Sequence, residues 1–206
     1  MKTCIISQSD GSAIRKTLDV IRSGGVVAVP TDTVYGIACS VKNSVAIQSL
    51  YQIKIRESIK AIPVLMADLN QIDLVTKSLN QNAIKLAQSF WPGALTLIVP
   101  KNESIPPNLT IHSTVGVRIP DHDWLRAIIR QTGPLAATSA NISGEASPST
   151  ARQVLDQLNG CIELIIDGGE CKGGFSSTVV DCSGEEIKIL REGRITPEQI
   201  QSALGK

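Results

Sequence analysis

The chain has 206 residues, 42% hydrophobic and 19% charged, enough apolar content for a sizeable core and too much for a disordered or collagen-like chain. Its 20 Lys and Arg balance 19 Asp and Glu for a formal charge of +1, which disfavours non-specific nucleic-acid binding as the main task but leaves room for a local basic pocket. Aromatics at 3% are too few for a base-stacking platform, and no apolar run reaches the roughly 20 residues that span a bilayer.

The first eight residues, Met1 to Gln8, predict a short strand, too brief for a secretory apolar segment. Ile14, Leu18 and Ile21 recur at helical spacing after Ser12, an expected N-cap, and Gly24-Gly25 ends that helix. The apolar run Val26 to Val29 predicts a buried strand. Ile47, Leu50 and Tyr51 predict a second helix opened by Asn43 or Ser44, and Ile62 to Met66 a strand. Ala83, Leu86, Ala87 and Phe90 predict a third helix, ended by Trp91-Pro92-Gly93. Strands follow at Leu95–Val99 and Val115–Ile119. Trp124, Leu125, Ile128 and Ile129 predict a fourth helix, capped by Asp121 or Asp123 and stopped at Thr132-Gly133-Pro134. After a short strand at Leu135–Thr138, Ala151, Val154, Leu155 and Leu158 predict a fifth helix. Three strands then occupy Glu163–Ile166, Ser177–Asp181 and Ile187–Leu190. Thr196-Pro197-Glu198-Gln199 is a capping box with proline at the first helical position, opening a last helix.

This alternation predicts one α/β domain over residues 1–206, with a mixed rather than wholly parallel sheet. Five scattered cysteines without a C-x-x-C pair point to reduced thiols and a cytoplasmic setting. His112 and His122 are too few for a His-rich metal site. Phosphate-loop, dinucleotide-binding, zinc-protease and nucleophile-elbow signatures are all missing.

Four polar segments remain, each following a predicted element. Pro30-Thr31-Asp32-Thr33-Val34-Tyr35-Gly36 follows a buried strand, where α/β sheets place ligands, although a turn satisfying its own backbone fits equally well. Lys54, Arg56 and Lys60 leave a helix end. Three close cations attract an anion, or complement the helix dipole. Thr138-Ser139-Ala140-Asn141-Ile142-Ser143-Gly144, with Ser147, Ser149 and Thr150 behind it, combines small donors with a helix start suited to phosphate, or forms an elaborate N-cap. Gly173-Gly174-Phe175-Ser176-Ser177-Thr178 and Arg191-Glu192-Gly193-Arg194 flank two late strands. An arginine there would clamp phosphate, or the pair would form a solvated hairpin.

With Phe90-Trp91-Pro92-Gly93-Ala94-Leu95-Thr96, Val117-Arg118-Ile119-Pro120, Ser177-Thr178-Val179-Val180-Asp181 and Leu190-Arg191-Glu192-Gly193, these segments resemble the YrdC/Sua5 family of L-threonylcarbamoyladenylate synthases. The match runs in family order from about residue 10 to residue 200. The chain looks like the short, single-domain form, without the C-terminal domain of Sua5-type members. The resemblance implies a twisted, mixed α/β sheet with flanking helices around a large concave cavity. It implies a reaction of L-threonine, bicarbonate or CO2, and ATP, giving pyrophosphate and threonylcarbamoyl-AMP. Other proteins then carry the threonylcarbamoyl group to adenosine 37 of tRNAs that read codons starting with A.

By the same resemblance, Thr33, Arg118, Ser139 and Ser177 would hold threonine, with Arg118 on its carboxylate. Arg56, Lys60, Thr114, Asn141, Ser149 and Arg191 would hold ATP, and Lys54 with Arg56 would face the triphosphate as the catalytic pair. Mg2+ would arrive on the nucleotide phosphates, with no metal site of the protein's own. The chain departs from the family pattern at Ile55, Glu57, Ala61 and Leu65. Such chemistry needs charge neutralisation and alignment rather than a protein nucleophile. The competing reading is a double-stranded-RNA-binding module without adenylation activity. The enzyme reading is compatible with RNA contact but does not require it. A second alternative, carbamoyl adenylation in hydrogenase maturation, lacks the extra segments that accompany it.

Overall fold

The computed structural model describes residues 2–55, 61–171 and 173–205. In chain order the elements are β1 (Cys4–Ser7), α1 (Ala13–Arg22), β2 (Val27–Val29), β3 (Gly36–Ser40), α2 (Ser44–Ile53) and β4 (Val64–Leu65). A 3-10 turn at Leu69–Leu74 leads to α3 (Gln81–Phe90), β5 (Leu95–Pro100), β6 (Thr114–Arg118) and α4 (Asp123–Thr132). Then come β7 (Leu135–Ser139), α5 (Ala151–Leu158), β8 (Leu164–Asp167), β9 (Thr178–Asp181), β10 (Lys188–Arg191) and α6 (Pro197–Leu204).

All these strands join one sheet in the order β1-β8-β2-β3-β7-β4-β6-β5-β9-β10. Pairings β1–β8, β2–β8, β4–β6 and β5–β9 are parallel and the others antiparallel, so the sheet is mixed as the spacing predicts. Strand alternation sorts the apolar side chains to two faces. Ala28, Ile37, Ala136 and Ile165 enter the core under α2, α3, α5 and α6. Val27, Val29, Ala38, Leu135, Ala137, Leu164 and Ile166 enter a second core with Leu18 and Ile21 of α1 and Leu125, Ile128 and Ile129 of α4. Each large aliphatic side chain so buried contributes about 1.5–3 kcal/mol.

The two faces are covered unequally. The second core takes residues from β2, β3, β7 and β8 but only Leu65 from β4 and nothing from β5, β6 or β9. Among the described residues, that leaves half of one sheet face without a helix over it, and the cavity described below lies there.

Several elements differ from expectation. β3 was not predicted: its sequence, Gly-Ile-Ala-Cys-Ser, carries one β-branched residue, and only pairing with β2 and β7 makes it a strand. Ser12 does not cap α1, because its hydroxyl donates to Asp10 Oδ1 at 2.6 Å. Ile14 is exposed, and Ala13 and Thr17 take its expected place in the buried face of α1. Asn43 caps α2 and the Thr196 box caps α6, as the sequence indicates. The cap of α4 is neither Asp121 nor Asp123 but His122, whose Nδ1 accepts from Leu125 N at 3.3 Å. No helix among the described residues is long and apolar enough to cross a membrane.

Burial lowers the His122 pKa below its ordinary 6.5, opposed by the charge of Asp32. The neutral ring, which the cap needs as an acceptor, is therefore favoured in the folded state. That contribution is complete above about pH 6.5 and is lost as pH falls through the lower folded-state value. Urea midpoints should fall between pH 7.5 and 5.5 in the wild type. In His122→Asn, a non-titrating cap, the fall should be flatter over that window.

Candidate active site

The cavity measures about 240 Å³, and about 960 Å³ with its open mouth included. Its floor follows strand alternation: Pro63 and Leu65, Gly116 and Arg118, Thr96 and Ile98, Ala137 and Ser139, Ser177 and Val179. Thr31, Thr33, Tyr35 and Gly36 form one wall, and Ser176 and Arg191 another. The ligand space therefore lies over a sheet face and not only at strand ends. Gly116 keeps the floor low, since a Cβ there would stand 3.2–3.3 Å from Pro63, Ile98 and Thr96.

Arg118 organises the wall. Its Nε donates to Gly93 O at 2.9 Å, Nη1 to Thr33 Oγ1 at 3.1 Å and Nη2 to Asp32 Oδ1 at 2.7 Å. The Asp32–Arg118 pair is nearly dry, with side chains 9% and 8% exposed. Thr31 Oγ1 donates to Val34 O at 2.7 Å, so the 2.9 Å contact between the two threonine hydroxyls has Thr33 as donor. Thr33 Oγ1 thus accepts from Arg118, donates to Thr31 and keeps one lone pair. Across the cavity, Ser177 Oγ lies 2.8 Å from Thr96 Oγ1 and accepts from Arg191 Nη2 at 3.2 Å. Arg191 also donates from Nε and Nη2 to Ser177 O, at 3.1 and 2.9 Å.

Behind Ser139 lies Lys54, at 2% exposure. Its Nζ donates to Ser139 O at 2.6 Å and Asn141 O at 2.7 Å, with Ser139 Oγ and Asn141 Oδ1 each 3.4 Å away. Lys54 O accepts from Ser143 N at 2.9 Å, locking the end of α2 to the turn after β7. Asn141 Nδ2 donates to Ile142 O and Glu145 O, both at 2.8 Å. Tyr35 ties this turn to the first loop: its carbonyl accepts from Ala140 N at 2.8 Å and its N–H donates to Pro148 O at 2.9 Å. The buried Tyr35 hydroxyl donates to Gly169 O at 2.8 Å, and burial pushes its pKa up to about 12.

Of the sequence-named residues, Thr33, Arg118, Ser139, Ser177 and Arg191 line this one cavity. Lys54 and Asn141 stand behind its Ser139 wall. Thr114 is four residues from Arg118 along β6, roughly 13 Å at strand rise, and lines a separate depression with Lys77, Lys101 and Ser113. Ser149 turns its hydroxyl to Gln153 Oε1 at 3.2 Å, within the N-terminal cap of α5. Arg56, Lys60 and the departure at Glu57 fall outside the described residues. Asp32, Thr96 and Gly93 were quoted in motifs without a role, yet each bonds directly to a cavity residue.

A mixed-sheet α/β protein with guanidinium and hydroxyl groups converging on an open half-face is built to receive a small anion-bearing molecule. The chain belongs to the Sua5/YciO/YrdC family, whose model, described as telomere recombination, matches residues 19–193. It is 42% identical over 195 residues to threonylcarbamoyl-AMP synthase of Bacillus subtilis, covering 93% of this chain and 56% of that one. It is 34% identical over 203 residues to a putative threonylcarbamoyl-AMP synthase of Mycobacterium tuberculosis, covering 98% of this chain and 94% of that one. Among solved structures, Pyrococcus abyssi Sua5 complexed with L-threonine matches at TM-score 0.94 and 37% identity, over 98% of this chain and 61% of that chain. The chain thus spans little more than half the length of the Bacillus relative.

Gly193 shows how closely the second wall is built. A Cβ there would lie 2.6 Å from both Ser177 C and Thr178 N, backbone that cannot swing aside. Gly193→Ala should lower the urea midpoint by an amount equivalent to about 1–3 kcal/mol, the usual cost of overpacking. The same measurement on Gly184→Ala, where the nearest atom is 4.0 Å away, should show little change.

Proposed function

We propose that this protein is an L-threonylcarbamoyladenylate synthase. It joins L-threonine, bicarbonate or CO2, and ATP into threonylcarbamoyl-AMP and pyrophosphate. The observation that carries this reading is the convergence of Thr33, Arg118, Ser139, Ser177 and Arg191, from five separate segments, on one cavity. The names of the relatives point to the same chemistry.

Arg118 meets the threonine carboxylate. Three of its five N–H groups are used by Gly93, Thr33 and Asp32, and among the described residues two remain for a ligand. The free lone pair of Thr33 Oγ1 accepts from the amino acid. Arg191, at the opposite wall, meets phosphate oxygens. By strand alternation Thr114 shares its side of β6 with Gly116 and Arg118, so a nucleotide lying along β6 would pass from the cavity towards it. Lys54 contributes through the turn that carries Ser139 and Asn141. No carboxylate lines the described cavity, which suits a Mg2+ ion that is held by the nucleotide phosphates rather than by the protein.

The amine of threonine adds to CO2, forming a C–N bond and releasing one proton to give a carbamate. A carbamate oxygen then attacks the α-phosphorus, and the bond to pyrophosphate breaks. Neither step needs a protein nucleophile. Alignment of three reactants supplies roughly 7–11 kcal/mol in favourable cases. Offsetting their crowded negative charge falls to the arginines. The product then goes to tRNA threonylcarbamoyl-transfer proteins in the cytoplasm.

Pyrophosphate release should require threonine and bicarbonate, each omitted in turn, and its independence of threonine would refute the reading. Serine, lacking one methyl, should be a poor but measurable substrate, about 10- to 200-fold down in kcat/KM. Arg118→Lys keeps the charge opposite Asp32 but not the planar fork, and should lose about 100-fold or more in kcat/KM for threonine, roughly 3 kcal/mol, while remaining folded by circular dichroism.

A further inference from the structure

We propose that Asp32 is the positioning residue of the threonine site, acting wholly through Arg118. The proposal rests on the substrate reading above. Asp32 does not line the cavity, whereas Arg118 does. The carboxylate stands behind the guanidinium with its side chain nine-tenths buried, and Oδ1 is 2.7 Å from Nη2.

The guanidinium is planar, so two fixed points leave it little freedom of rotation, and three leave none. Gly93 O fixes the Nε end, Thr33 Oγ1 fixes Nη1, and Asp32 fixes Nη2. These three come from two segments: Gly93 from the turn after α3, and the neighbours Asp32 and Thr33 from the β2–β3 loop. Gly93 O and Thr33 Oγ1 are neutral acceptors. All three bonds are charge-assisted by the guanidinium, but Asp32 alone adds an opposite charge, making its contact the one ion pair of the three. It therefore sets which N–H groups are consumed and which two are presented to the ligand. The loop holding Asp32 is itself braced from behind. Gly173 packs so closely that a Cβ there would lie 2.5 Å from Asp32 O and 2.6 Å from Thr33 Cα. The backbone that carries the carboxylate is thus held by the fold.

Asp32 has a second, opposite effect. Its negative charge weakens the attraction of Arg118 for a substrate carboxylate. If orientation dominates, losing Asp32 weakens threonine binding. If charge dominates, losing it strengthens binding. The two readings differ in sign, so kinetics decides between them.

The test is steady-state pyrophosphate release by the full chain with wild type, Asp32→Asn, Asp32→Ala, Arg118→Lys and the double variant Asp32→Ala/Arg118→Lys. Asp32→Ala should raise the threonine KM tenfold or more and leave the ATP KM within twofold. Asp32→Asn, which keeps an oxygen at the same place, should fall between wild type and alanine. The double variant should be little worse than Arg118→Lys, because the aspartate has no other route to the ligand. The role is overturned by an unchanged or lowered threonine KM, by equal losses on threonine and ATP, or by full additivity in the double variant. Should Asp32→Ala fail to fold, the threonine KM of Asp32→Asn decides alone, a rise supporting the role and no rise refuting it. Wild-type turnover in the same assay separates the claims: no threonine-dependent release sinks the substrate assignment and this role with it, while normal wild-type turnover beside an unaltered Asp32→Ala sinks the role only.

Discussion

A lysine ammonium taken out of water must find oxygen atoms, because an unsolvated charge costs several kcal/mol. Lys54 meets that demand with the carbonyls of Ser139 and Asn141. The bond pattern draws the end of β7 down onto the last turn of α2, and Ser143 N closes the loop by donating back to Lys54 O. Since β7 sits between β3 and β4, this anchor lies near the middle of the sheet. It fixes Ser139 on the cavity wall, and through Ala140 and Tyr35 it fixes the loop that carries Thr33. One buried cation thereby sets the relation between two cavity-bearing segments about a hundred residues apart.

Two arginines follow the same logic, Arg118 on the Thr33 wall and Arg191 on the opposite one. Arg118 collects three protein acceptors and Arg191 collects the Ser177 carbonyl and hydroxyl. Hydroxyl groups fill the gaps between charges: Thr31 to Thr33 on one side, Thr96 to Ser177 on the other. Such a lining is pre-organised, since most donors and acceptors are held before any ligand arrives. A ligand then meets oriented dipoles without the cost of reorganising them.

Much of this was legible in the residues. Apolar periodicity located α1 to α5, the capping box at Thr196 opened α6, and the stop at Trp91-Pro92-Gly93 marked the end of α3 closely. β3 escaped because Gly36 to Ser40 has little strand preference of its own; its neighbours impose the conformation. His122 escaped as a cap because aspartates flank it, and only burial tells which of the three turns inward. In the site, motif matching found Thr33, Arg118, Ser139, Ser177 and Arg191, which line the cavity, but gave no role to residues that hold them. Asp32 and Thr96 carry no separate sequence signal, because their importance is a contact across the fold. For Lys54 the motif gave the residue, but the carbonyls that receive its ammonium appear only once β7 and α2 are packed.

The pairing of β1 with β8 has a consequence for how the molecule comes into being. Cys4 lies beside Leu164, and Thr3 bonds to Ile162 O at 2.8 Å. A ribosome delivers Cys4 long before Leu164, so β1 must wait for this partner until the intervening residues have been made. The wall that bears Arg191 is delivered later still. A chain released shortly before that arginine would carry β1 to β9 and the rest of the cavity lining while lacking the Arg191 wall, so the pocket closes only when its last segment has been made.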